Sequence, residues 1–139
     1  MADSIPDIQT LIPQGPPFVL VGELLETGEQ VTRTGYRIAP GGQLVENGRF
    51  TVAGLIENMA QTAAAGAGYA ALAAGGDVRS GAIVAIHNLE VHRLPAAGEV
   101  LETTVTVTTR VGDIIVISGR ITCRQSLIAA GEMKILCGL

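Results

Sequence analysis

The chain has 139 residues, of which 47% are hydrophobic and 16% charged, enough for a single domain over 1–139 and too apolar for disorder. Its formal net charge is -4, with no block of Lys or Arg, so nucleic-acid binding has no electrostatic basis. The apolar content also exceeds what one small monomer buries, which points to oligomerisation.

The opening MADSIPDIQT lacks the basic start and apolar core of a secretion signal, and a cytoplasmic chain is expected. Residues 8–12 read as a short amphipathic turn ended by Pro13. Gln14, Gly15, Pro16 and Pro17 follow as a stiff loop. A strand is predicted over 18–25 and its antiparallel partner over 29–39, with the turn at 27–30. Residues 43–51 form a loop in which Asn47 and Gly48 are turn formers.

The run VAGLIENMAQTAAAGAGYAALAAGG, residues 52–76, has no proline and no alternation, and is read as the central helix. Thr51 is its predicted N-cap, and Gly75, Gly76 and Asp77 its stop. Ala and Gly dominate after Gln61, so the helix is thin and a sheet can approach its backbone closely. Each interior Gly costs about 1 kcal/mol against Ala, and packing on most sides must offset Gly66 and Gly68. Glu57, Asn58 and Gln61 interrupt the apolar run, which argues against a membrane span. Glu57 and Gln61, four residues apart, share a face. A carboxylate and an amide on an otherwise apolar wall form the one polar pair that looks chemically placed.

After the helix everything reads as strand. Residues 80–94 place Ile83, Ala85, His87, Leu89 and Val91 on one face. Over 100–110, Leu101, Val105 and Val107 face one way, and Glu102, Thr104, Thr106 and Arg110 the other. Strands over 114–124 and 127–137 complete the set. Short connections imply an antiparallel sheet, and a single helix with a small-residue surface implies a sheet curled around it. Cys123 and Cys137 lie in strand-like runs without further ligands and read as thiols in a reducing compartment. Metal ligands are unclustered, and Gly-rich phosphate loops and Ser-His-Asp or Cys-His pairs are missing, so no metal or cofactor is expected.

Three strings carry a resemblance. LIPQGPPFVLVGELLE (11–26), ENMAQTAAAG (57–66) and AIHNLEVHRLPAAGEVLE (85–102) resemble, in order, the first strand, the central helix and the strand-proline-turn of the hot-dog fold. More narrowly, they resemble the 3-hydroxyacyl-acyl carrier protein dehydratases. The resemblance implies an α+β fold, a curved antiparallel sheet of about six strands around one long helix. It also implies a homodimer or higher oligomer acting on an acyl thioester of acyl carrier protein or coenzyme A, in fatty-acid or polyene-type lipid synthesis. In the resembled enzymes the helix Glu, here Glu57, is catalytic, and works with a histidine from the loop before the helix. The corresponding loop here, QLVENGRFTVAG (43–54), contains no histidine.

The candidate site follows from these residues. Glu57 is the expected acid/base group, with Gln61 fixing its orientation or that of the substrate. Gly54 and Leu55, at the helix start, offer N–H groups to a thioester oxygen as charge builds on it. His87, on the apolar parity of its strand, either projects toward the helix in place of the absent loop histidine or is a core or interface residue. Asn47 either positions a water or the substrate hydroxyl or simply makes the turn. Thioester hydrolysis by Glu57 and a non-catalytic acyl-binding subunit are the alternative functions.

Overall fold

A computed structural model describes residues 6–138. In chain order it holds a single 3-10 turn at Ile8–Thr10, then β1 (Glu23–Thr27), β2 (Val31–Arg37), β3 (Val45–Glu46), β4 (Arg49–Phe50), α1 (Val52–Ala73), β5 (Gly81–Val91), β6 (Val100–Val111), β7 (Ile114–Cys123) and β8 (Ser126–Cys137). Six strands form one antiparallel sheet in the order β1-β2-β6-β7-β8-β5, while β3 and β4 make a separate small hairpin. This is the hot-dog arrangement, the sheet wrapped on one long helix. No helix among the described residues is long and apolar enough to cross a membrane.

Local chemistry sets the ends of α1. Thr51 has extended backbone angles and its Oγ1 accepts the Gly54 N–H at 3.2 Å, which satisfies one of the amides a helix start leaves over. At the other end Gly75 takes φ +82°. Gly75 N–H then reaches Leu72 O at 3.0 Å, and Gly76 N–H reaches Ala71 O at 2.8 Å, a left-handed stop open to glycine at little cost. The helix therefore ends at Ala73, short of the Gly76 at the end of the predicted run.

Leu55 and Met59 of α1 are fully buried against Leu101 and Val105 of β6 and Ile117 and Ile121 of β7. Each such side chain contributes about 1.5–3 kcal/mol on leaving water. A second, polar seam runs beside this core. Asn58 Oδ1 accepts from Thr103 Oγ1 at 2.5 Å, the Asn58 carbonyl accepts from Thr62 Oγ1 at 2.8 Å, and the Thr62 and Thr34 hydroxyls lie 2.8 Å apart. All four side chains are buried. Because every polar atom in the seam has a partner, it ties helix to sheet without an unpaired group in the interior.

The predicted strand over 18–25 is the main departure, since β1 begins only at Glu23. Helix side chains take the backbone groups a ladder would need. Leu20 N–H donates to Gln61 Oε1 at 2.7 Å, Leu20 O accepts from Asn58 Nδ2 at 2.7 Å, and Phe18 O accepts from Gln61 Nε2 at 2.8 Å. The segment is thus fastened to α1 by side-chain amides. The loop expected over 43–51 also contains more structure than foreseen, the β3–β4 hairpin. Asn47 and Gly48 sit at its tip with φ +52° and +74°, as a two-residue hairpin turn requires.

Two bulges shift the predicted faces. β5 slips against β8 between Ile83 and Ala85, so that Ile86 lies opposite the buried Met133 and His87 opposite Glu132. His87 is therefore turned to the side of the sheet away from α1, and is exposed. The extra residue reverses the alternation on which the expectation of a helix-facing His87 rested. In β6 a slip between Val107 and Thr109 sets Arg110 opposite Ile115, which is buried. Arg110 thereby joins the helix side of the sheet, contrary to its predicted face.

Close approach dominates the second half of α1. A Cβ on Gly68 would lie 1.9 Å from Leu11 O, and one on Gly66 would lie 2.2 Å from Thr32 Oγ1. Gly68→Ala is expected to lower stability by about 1–3 kcal/mol by overpacking, while Gly28→Ala, where nothing lies within 4 Å, stays within about 0.5 kcal/mol of wild type. Denaturant titration of both variants checks this, and equal midpoints would refute the close packing. Gln61→Leu strands Leu20 N–H and Phe18 O and is expected to cost about 2–4 kcal/mol, with the amides of 18–22 exchanging faster in hydrogen-exchange measurements.

Candidate functional site

Between α1 and the sheet, toward the C-terminal half of the helix, lies a cleft of about 720 Å³. Its origin is compositional. The α1 wall is made of Ala60, Ala63, Ala64, Gly66, Ala67, Gly68, Ala70 and Ala71, whose side chains stop at a methyl or less, while Val105, Val107, Ile115 and Ile135 line the sheet side. The space that leucines would fill stays open. From residue 57 to residue 71 the wall runs for about 20 Å at 1.5 Å per residue.

Glu57 is the one polar side chain on that α1 wall, and it is half-buried. Gln61 Nε2 donates to Glu57 Oε1 at 3.1 Å, one turn along the helix as the four-residue spacing requires. The same amide group also holds Phe18 O and Leu20 N–H, so Gln61 is immobilised by the 18–20 segment and in turn fixes one carboxylate oxygen. Glu57 Oε2 has no protein partner among the described residues. The result is a carboxylate anchored through one oxygen, with the other free, at the edge of an apolar passage.

The remaining predicted site residues are not gathered there. The Gly54 N–H is taken by the Thr51 cap, and Leu55 N–H donates to Thr51 O at 3.0 Å. Both residues are buried beneath the first turn, with the Phe50 ring against Gly54. Val52 and Ala53, the first two residues of the helix, are exposed, and their amides have no hydrogen-bond partner among the described residues. Asn47 sits exposed at the β3–β4 tip and, like His87, does not line the cleft.

Sequence reading passed over two residues. Gln14 lines the cleft, and its Oε1 is buried without a hydrogen-bond partner. Only the fold of the proline loop onto α1 could reveal it. Asn58 carries no pattern signal apart from being a polar residue on a buried face, yet it joins three elements. At the far end of the cleft the walls become polar, with Asp77, Arg79, Arg110 and Asp113. Cys137 also faces this end, and burial pushes its thiol above the usual range, with Arg110 working against the shift and Asp113 adding to it. Cys123 is buried, and neither cysteine is in a disulfide.

Comparisons with known proteins agree with this architecture. A comparison with curated proteins finds no match. Among solved structures, the chain is similar to one in the dehydratase heterocomplex ApeI:P from Xenorhabdus doucetiae, at a TM-score of 0.90 and 15% identity, covering 98% of this chain and 93% of the other. It is also similar to the Escherichia coli PaaI protein of the phenylacetic acid degradation operon, at a TM-score of 0.64 and 15% identity over 81% and 80% of the two chains. A hypothetical thioesterase from Streptococcus pneumoniae, solved with coenzyme A, gives a TM-score of 0.64 at 10% identity over 84% of each chain. These low identities speak for the fold. The family is shown by the sequence itself, which matches the ApeP-like family, described as ApeP dehydratase, over residues 6–137. With a hot-dog fold, a helix carboxylate at an apolar cleft and a family match across nearly its whole length, the chain belongs to the ApeP-like dehydratases.

Proposed function

We propose that the chain dehydrates 3-hydroxyacyl thioesters, with Glu57 as the group that moves the proton. The observation that carries this reading is the carboxylate itself, the sole polar side chain on the α1 wall of the cleft and one whose second oxygen is free. An acyl chain laid along the alanines places its thioester end near Glu57. Glu57 Oε2 takes the proton from C2, the C2–C3 double bond forms as the C3–O bond breaks, and the same carboxyl returns the proton to the departing hydroxide as water. Atoms and charge balance with one acid/base group, as a loop without histidine demands. The unpartnered Val52 and Ala53 amides, rather than those of Gly54 and Leu55, are the donors suited to the thioester oxygen as it gains charge.

A second chain completes the passage. β5 is an eleven-residue edge strand with Val84 and Ile86 exposed, and a long apolar edge calls for a partner strand. Edge-to-edge pairing into a homodimer, or with a related subunit as in the heterocomplex to which the chain is similar, answers that need. The two free thiols favour a reducing compartment such as the cytoplasm. Methyl-lined walls and the low aromatic content, 3%, suit an alkyl or polyene chain, which supports a place in fatty-acid or polyene-type lipid synthesis.

Hydrolysis is the second reading, favoured by the same lone carboxylate, which is sufficient to activate a water. Products separate the two. A dehydratase interconverts 3-hydroxyacyl and 2-enoyl thioesters without releasing thiol, whereas a thioesterase releases thiol from saturated substrates as well. In either case Glu57→Gln is expected to lower turnover by about 10²–10⁴-fold, with stability within about 1 kcal/mol of wild type. Wild-type turnover in that variant would remove Glu57 from the chemistry. Substrate binding without either product would make the chain a non-catalytic acyl-binding subunit.

A further inference from the structure

The far end of the cleft is assembled from four separate pieces of chain. Val107 N–H donates to Gln30 O at 2.7 Å, Cys137 N–H to Asp113 O at 2.7 Å and Gly138 N–H to Ser80 O at 3.1 Å. The β1–β2 turn, the β6–β7 turn, the end of β8 and the segment after α1 are thereby drawn together. Arg110 reaches across this end, its Nη2 donating to Glu29 O at 3.5 Å. The slip in β6 between Val107 and Thr109 turns Arg110 to the helix side, where unbroken alternation would have sent it away. Asp77, Arg79 and Asp113 complete the rim, two acids and two arginines, all exposed.

Short of that rim the chemistry is different. Between Glu57 and the rim, α1 offers the cleft only alanine and glycine, so a methylene lying there leaves water, which raises affinity by about fourfold. A methylene that passes the rim returns to water and gains nothing, and crowding the charged groups would strip their hydration. Nothing at this end awaits a polar terminus. Its charges are balanced and solvated, and the orphaned buried acceptor that lines the cleft, Gln14 Oε1, lies elsewhere. It belongs to a segment that runs from Leu11 O, close against Gly68, to Phe18 O on Gln61, short of the rim.

We propose that Arg110 and the charged rim around it set the upper limit of acyl-chain length, so that the substrates are thioesters with a plain hydrocarbon tail. The apolar wall runs for about 20 Å at 1.5 Å per residue. An extended covalent chain advances about 1.2 Å per bond, a third of a residue's reach, which puts the limit at roughly 16 to 18 carbons. The proposal rests on the acyl-thioester reading above and deepens it by naming the tail.

The test is a binding series of saturated acyl-coenzyme A thioesters of increasing length, below their micelle-forming concentrations, on the full chain assembled with whatever subunit it forms. The head group is constant, so the slope reports the tail alone. Affinity is expected to rise by up to about fourfold per methylene and then level off at the limit. In Arg110→Leu the rise should continue past that length, giving about tenfold or more for the longest chains from two further methylenes, with short chains unchanged. Arg110→Lys, which keeps the charge, should keep the wild-type limit. A plateau at the same length in Arg110→Leu would overturn the proposal, as would an equal loss at every length, which would make Arg110 structural. Tighter binding of a tail ending in a hydroxyl than of a methyl-ended tail of equal length would also overturn it, by making the rim a polar subsite. Saturated chains cannot be dehydrated, so the two readings fail separately. A limit that moves with Arg110 but no product from 3-hydroxyacyl thioesters sinks the dehydratase alone, whereas product with a limit indifferent to Arg110 sinks only the ruler.

Discussion

The narrowness of α1 is the constraint on which the rest depends. With alanine and glycine along most of its length, the helix lets Leu11 O and Thr32 Oγ1 come close enough that a single added methyl group would collide. The same small side chains do not reach the sheet on the opposite side, and the unfilled space is the cleft. Tight contact and open passage are therefore two consequences of one composition. Glycine weakens an isolated helix, so this helix is stable only within its wrapping.

Polar groups on α1 divide their work by depth. Asn58 and Thr62 are buried and satisfied by β2, β6 and the 18–20 segment, which makes them structural. Gln61 works on both sides, holding the segment with two hydrogen bonds and donating a third to Glu57. Glu57 alone is left partly open. A carboxylate whose position is set by an amide that is itself clamped needs little reorganisation when charge moves, which is the condition for electrostatic preorganisation.

Charge is distributed with the same economy. The α1 wall of the cleft is apolar except for Glu57, the far end of the cleft carries acids and arginines of both signs, and the turn at residues 94–99 gathers Arg37, Arg49, Arg93 and Arg124 about Glu99 and its backbone carbonyls.

Much of this was legible in the chain alone. The run from Val52 without proline or alternation specified a helix, Thr51 its cap and Gly75 its stop, because these depend on hydrogen bonds between near neighbours. Alternation specified β6, the two strand runs after it matched β7 and β8, and the spacing of Glu57 and Gln61 placed them together. The sequence could not show that Gln61 and Asn58 would seize the backbone of residues 18–20, since those partners are about forty positions apart in the chain. Nor could it reveal the slips at Ile83 and Val107 that send His87 outward and Arg110 inward, because a bulge is settled by how one strand fits its neighbour. Composition and short-range pattern determined which elements form and which carboxylate stands on the helix wall. Tertiary packing alone decided which amides remain free at the helix start, where the cleft opens and which arginines meet, because each depends on backbone groups brought together from distant parts of the chain.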